Sequence, residues 1–241
     1  MCNLYSHTSN AQAIIDLVRA TRNLAGNLAP QTGIFPDYSA PIVRTGADGQ
    51  REIAMARWGM PSSRKALLDA ATKRANALRA KGKDVDFQEL LRLEPDTGTT
   101  NIRNTASSHW KPWLGPAHRC LVPFTSFSEY DTDGLGKKVP VWFAFGEERP
   151  LAFFAGLWCS WTCVRKKTEG EVTADLYAFL TCEPTDPVAA IHPKAMPVVL
   201  TEPAEIEAWM VAPWDEAKLL QRPLPAGMLQ IVARDDRKDG S

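Results

Sequence analysis

Apolar and polar positions along the chain alternate between two periods. From Ser9 onward, Ile14, Leu17, Val18, Thr21 and Leu24 recur at helical spacing. Ser9 or Asn10 serves as N-cap, and Gly26 and Pro30 end the predicted helix. A strand is predicted over residues 42–45, a turn at Gly46-Ala47-Asp48-Gly49, and a second strand in which Ile53, Met55 and Arg57 alternate. Residues 62–93 change character, with Ala, Leu, Lys and Arg dominant. They predict a helix from a Ser62 or Ser63 cap to about Ala80, a stop at Gly82 and a short helix over 86–93. Strand-like runs follow at 120–123, 139–145, 151–157, 176–182, 198–200 and 228–232, with helices over 186–191 and 202–210. The tail from residue 234 is charged and predicted to fray. The pattern predicts one α+β domain over residues 1–241. Its β-rich, partly barrel-like core carries peripheral helices, with 62–93 as a solvated helical insertion.

Composition narrows the function classes. The 241 residues include 28 basic and 28 acidic side chains, which excludes a strongly cationic protein that coats nucleic acid by bulk charge. Net charge does not describe distribution, however. Residues 97–128 contain no Asp or Glu, yet hold Arg103, Lys111, Arg119, His109 and His118, with Trp110 and Trp113 between them. Cations interleaved with aromatic faces suit single-stranded nucleic acid; a Trp-anchored core loop with a few exposed cations has the same composition. No run approaches the roughly 18 apolar residues of a membrane span. MCNLYSHTSN has no basic segment leading into an apolar one, so no secretory signal is expected. Five scattered cysteines fit reduced thiols and a cytoplasmic location, and no membrane partner is expected.

Several residues are candidates for chemistry. Cys2 becomes N-terminal if Met1 is removed, which aminopeptidases do when residue 2 is small. It then carries an α-amine with a reference pKa of about 7.7–8.0 beside a thiol of about 8.5. Such a 1,2-aminothiol closes a thiazolidine on an aldehyde or attacks an amide. Taken alone, Cys2 reads more simply as a small residue at a chain end. Asn101 and Arg103 share one face with Ile102 turned to the core, a pair suited to a phosphodiester or polar adduct, or to a surface loop. Glu129, in Phe127-Ser128-Glu129-Tyr130, is either an acid/base with a raised pKa or a solvent-facing strand residue. His192 ends a short helix before a proline-bounded turn, where an imidazole projects into a cleft or satisfies a cap. Cys159, Cys163 and Cys182 lack zinc spacing, and no nucleotide loop or GxSxG is present, so neither metal nor cofactor is expected.

The order of these motifs resembles the SRAP family, the SOS response-associated peptidases known for shielding abasic sites in DNA. The resemblance rests on Met1-Cys2, Asn101-x-Arg103, Phe127-x-Glu129-Tyr130 and Ile191-His192-x-x-x-Met196-Pro197. Tyr38-Ser39-Ala40-Pro41, Arg57-Trp58-Gly59-Met60 and Phe154-Ala155-Gly156-Leu157-Trp158 resemble the intervening blocks. Asn3 and Leu4 stand where many members carry Gly and Arg. The resemblance implies that Cys2 crosslinks to the aldehyde of an abasic site in single-stranded DNA as a thiazolidine, making the protein an abasic-site processing enzyme. Asn101 orients the adduct, Glu129 shuttles protons and His192 assists or holds a phosphate. Arg103, with Trp58, Trp110, Lys111 and Trp113, forms the candidate DNA surface of a monomer. Two other functions stay open: a thiol peptidase or amidase with Cys2 as N-terminal nucleophile, and a non-catalytic single-stranded nucleic-acid binding module.

Overall fold

The apolar runs become strands, and the Ala/Leu/Lys-rich stretch becomes helix, in a computed structural model that describes residues 2–240. β1 (Leu4–His7) leads into α1 (Ala11–Val18), β2 (Arg22–Asn23), β3 (Gln31–Ile34) and the hairpin of β4 (Ser39–Thr45) and β5 (Arg51–Trp58). The insertion consists of α2 (Arg64–Arg79) and α3 (Phe87–Arg92). Then come β6 (Asn101–Ile102), β7 (Arg119–Phe124), β8 (Ser126–Thr132), β9 (Lys138–Ala144), β10 (Ala152–Val164) and β11 (Glu171–Cys182). The last elements are α4 (Val188–Ile191), β12 (Met196–Pro197), β13 (Val199–Leu200), α5 (Pro203–Val211), α6 (Trp214–Ala217) and β14 (Gln230–Arg234). No helix among the described residues is long and apolar enough to cross a membrane.

Five strands close a barrel in the order β5, β4, β7, β10, β11. Four of the pairings are antiparallel, and the ring closes in parallel, with Leu176 opposite Arg57 and Tyr177 opposite Trp58. Closure removes the exposed edges that an open sheet would present. A second, antiparallel sheet runs β14–β9–β8–β1–β3. The chain passes from barrel to sheet at Thr125, whose N–H donates to the Ser6 carbonyl at 2.8 Å. The fold is α+β on a β-rich core, as the pattern predicts.

Aromatic side chains fill the barrel. Trp58 stacks on Tyr177 and Phe179 and meets Tyr5 edge-on, at centroid distances of 6.4, 5.2 and 5.2 Å. Each fully buried aromatic contributes on the order of 1.5–3 kcal/mol, and such ring pairs add about 0.5–1.5 kcal/mol. The Tyr5 and Tyr177 hydroxyls satisfy each other at 2.5 Å, so two polar atoms enter this core without being left unpaired. Gly156 permits the close strand packing, since a Cβ there would lie 2.8 Å from Cys120 Sγ and 3.1 Å from the Ala178 carbonyl.

Three expectations are corrected. The first helix has the predicted Asn10 cap, whose Oδ1 accepts from Ala13 N at 2.9 Å, but it stops at Val18 because Arg19 turns left-handed at φ 53. Thr21 to Leu24 instead run beside β5. In β5 the buried positions are Glu52, Ala54, Ala56 and Trp58 together with Ile53, and Met55 is exposed. The tail does not fray through residue 240. Asp239 is fully buried, accepts from Ser126 Oγ at 2.5 Å and Arg149 Nε at 2.8 Å, and donates its N–H to the Thr32 carbonyl. Breaking a buried ion pair from one side strands its partner, so Asp239→Ala should lower unfolding stability by about 3 kcal/mol in urea titration. An unchanged midpoint would contradict the strapped tail.

Candidate functional site

The barrel seam places the site. β5 ends at Trp58 beside Tyr177, and β6 takes up the next positions of the same strand, with Asn101 opposite Phe179 and Ile102 opposite Leu180. The helical insertion is therefore an excursion that leaves and rejoins one edge of β11. Gly59 makes the exit: its φ is +134, and a Cβ would meet the Arg165 guanidinium at 2.6 Å. Buried Arg165 donates to the Gly59 carbonyl at 3.1 Å and to Asp37 at 3.0 Å, clamping this corner.

Asn101 returns at the barrel end with its side chain 7% exposed. Its Nδ2 donates to the Cys2 carbonyl at 2.7 Å and to Thr100 Oγ1 at 2.9 Å. Thr100 Oγ1 in turn donates to Asn3 Oδ1 at 3.1 Å, while the Thr100 carbonyl accepts from Trp58 Nε1 at 3.1 Å. This relay fixes the amide orientation and leaves Asn101 Oδ1 as a buried acceptor with no partner among the described residues. Such an atom costs about 1–3 kcal/mol and marks a place where a ligand group can bond.

Cys2 is 1% exposed, and its thiol donates to the Leu4 carbonyl at 3.4 Å. Burial, reinforced by the Glu129 carboxylate, pushes the thiol well above its ordinary range. Glu129 is 3% exposed on β8, on the same strand face as Phe127, which packs against Phe124, Phe143 and Phe154. Desolvation raises Glu129 to about 7. His192 follows α4, which packs on β8, and its Nδ1 lies 3.9 Å from Glu129 Oε2. Burial, with Lys194 nearby, lowers its pKa and favours the neutral ring. Four separated segments thus bring a thiol, an amide, a titrating carboxyl and an imidazole together. The predicted removal of Met1 concerns a residue outside those described.

The candidate DNA surface is only partly assembled as predicted. Arg103 is exposed and ion-paired with Glu183, and Lys111 is exposed. Trp113 is half-buried. Trp58 is 0% exposed, so no ring face is open to a base; it shapes the site from behind through Thr100. Trp110 is buried beneath His109 and Trp113. Arg119 is buried as well, donating to the Trp209 carbonyl at 2.6 Å and to the Ala212 carbonyl at the end of α5. It satisfies orphan helix carbonyls rather than phosphates. Thr100 and Asn3 were missed because a hydroxyl and an amide carry no motif until β6 is seen beside the N-terminus.

Glu129 gives a pH signature. Below about pH 4.5 both folded and unfolded states hold the proton. Between about 4.5 and 7 the folded state retains it while the unfolded state loses it, and above 7 the full penalty of about 3 kcal/mol is present. The stability of Glu129→Gln relative to the parent should therefore rise by about 3 kcal/mol between acid and mildly alkaline pH in urea titrations. A pH-independent difference would assign Glu129 an ordinary pKa.

The family model for SOS response associated peptidase (SRAP) matches residues 93–234. The match contains Asn101, Arg103, Glu129 and His192, whereas Cys2 joins them through the fold. Among solved structures, the chain is similar to a Bordetella bronchiseptica protein at 22% identity, covering 97% of this chain and 98% of that one, with a TM-score of 0.64. A Bacteroides thetaiotaomicron protein is 18% identical over 95% and 90%, with a TM-score of 0.66. A phage-related protein of B. bronchiseptica is 17% identical over 95% and 92%, with a TM-score of 0.61. At these identities the likeness shows a shared fold. No curated protein matches the chain.

Proposed function

The chain belongs to the SOS response associated peptidase family, which gives it a DNA-damage-related role of peptidase-like or DNA-processing type, and from that premise we propose that it captures abasic sites in single-stranded DNA covalently. The observation that carries this reading is the convergence of Cys2, Asn101, Glu129 and His192 at the barrel end. Once Met1 is removed, the Cys2 α-amine adds to C1′ of the ring-opened sugar. The carbinolamine loses water to give an iminium, and the Cys2 sulfur adds to the same carbon as its proton leaves. Aldehyde and aminothiol become a thiazolidine and one water, with no oxidant or reductant required.

The site's electrostatics suit that order of events. The thiol is held protonated by burial, so the amine attacks first and the sulfur closes the ring. A carboxyl that titrates near 7 is present in both forms at neutral pH. It can protonate the departing hydroxyl and then accept the thiol proton. Asn101 Oδ1 is open to a hydroxyl or N–H of the adduct, while its Nδ2 holds the Cys2 carbonyl in place. Arg103 exchanges the Glu183 carboxylate for a phosphate, an anion of matching geometry.

The test is a single-stranded oligonucleotide with one abasic site, mixed with the protein and resolved under denaturing conditions. A stable adduct is expected, absent in Cys2→Ala, and Glu129→Gln should form it about 100-fold more slowly or worse. Adduct formation by Cys2→Ala would overturn the assignment. Peptide turnover with no DNA adduct would move the chain to the N-terminal nucleophile reading.

A further inference from the structure

Beyond the covalent site, the structure holds an aromatic array that no step above uses. His109, Trp110, Trp113 and Trp161 pack in sequence: His109 meets Trp110 at 4.4 Å and Trp113 at 5.4 Å, and Trp113 meets Trp161 edge-on at 6.0 Å. Trp110 is the buried root. Trp161 is the open end at 42% exposure, on the part of β10 that pairs with β11, with the small Ala174 opposite it. Rings packed edge to face fix the orientation of the outermost member, so the exposed Trp161 indole offers an aromatic face with little conformational freedom left to lose.

Cations border that surface. Lys111 lies between Trp110 and Trp113, is exposed and forms no ion pair among the described residues. His109 Nε2 bonds the Pro61 carbonyl at 2.9 Å, which holds the start of α2 against the array. Arg64, the first residue of α2 and close in sequence to Pro61, is exposed and also lacks an ion pair among the described residues. The acid nearest in sequence to residues 109–113, Asp96, is buried and occupied by the Ser62 and Gly98 amides, while Asp69 near Arg64 is paired with Lys65 and Glu169 beyond Trp161 with Arg57. The array is tied to the covalent site through the same segment: Thr99 bridges to Met60, and Asn101 follows two residues later.

We propose that Trp161 and Trp113, flanked by Lys111 and Arg64, form a stacking platform for unpaired bases of single-stranded DNA flanking the damaged nucleotide. The rings take the base faces and the cations take the phosphates, the combination that binds single strands with little sequence preference. The substrate class rests on the proposed function, whereas the platform itself needs no covalent chemistry.

The test uses Cys2→Ala throughout, so that no adduct can form, and measures binding of a fluorescent undamaged oligothymidine. In this background Trp161→Ala should weaken binding about tenfold and Trp161→Phe less, in line with stacking on an aromatic face. Lys111→Ala and Arg64→Ala should each reduce the salt dependence of log K by about one. Urea midpoints serve as the folding control; if Trp161→Ala is unstable, Trp161→Phe and Lys111→Ala carry the test. Unchanged affinity in the folded Trp161 variants, or no binding of oligothymidine at all, would overturn the platform. Failure of the parent to crosslink abasic DNA while Trp161→Ala still weakens oligothymidine binding would sink the covalent reading alone.

Discussion

An odd number of strands cannot close a ring through antiparallel pairs alone, so one neighbour must run parallel. Here that neighbour pair is β5 and β11, joined at Trp58 and Tyr177. The constraint has consequences for everything at this end of the barrel. β5 covers only the first part of that edge of β11, and the chain leaves the sheet before the next part is filled. It leaves at Gly59, runs through α2 and α3, and rejoins β11 as β6. Asn101 therefore arrives beside the N-terminal segment, where its amide reaches the Cys2 carbonyl. Trp58 supports the arrangement by stacking inside the barrel and bonding the Thr100 carbonyl.

Burial then sets the chemistry. The same low-dielectric surroundings suppress ionisation of the Cys2 thiol, lift Glu129 toward neutrality and keep His192 uncharged. A thiol held protonated by burial is a poor first nucleophile. It is well suited to waiting while an amine makes the first bond. Arg103 and Lys111 carry exposed cationic charge. A chain of zero net charge can still present exposed cations within a segment free of acids.

Part of the site follows from local pattern. Alternation turns Ile102 to the core as expected, but it groups Asn101 with Arg103, and burial parts them: Asn101 is enclosed and Arg103 exposed. For Glu129, flanked by aromatics, the local pattern allows either a buried acid/base or a solvent-facing residue, and the enclosed position decides for burial. Properties set by distant partners were not legible. Thr21 and Leu24 have helical spacing, yet the left-handed turn at Arg19 sends them along β5. The charged tail reads as frayed because Arg149 and Ser126, which hold Asp239, are far away in sequence. Eight tryptophans could be counted, but their accessibility is a tertiary property. Trp58 and Trp110 went to the interior, and Trp161, which no motif marks, reached the surface.

The central claim is that amine and sulfur of one residue are both consumed by one aldehyde carbon. Intact mass and thiol titration of the denatured DNA adduct address it together. The account predicts the mass of the chain without Met1 plus the oligonucleotide less one water, with one alkylatable thiol fewer than the five of the free chain. An adduct that retains Met1, or one in which all five cysteines still react, would contradict it.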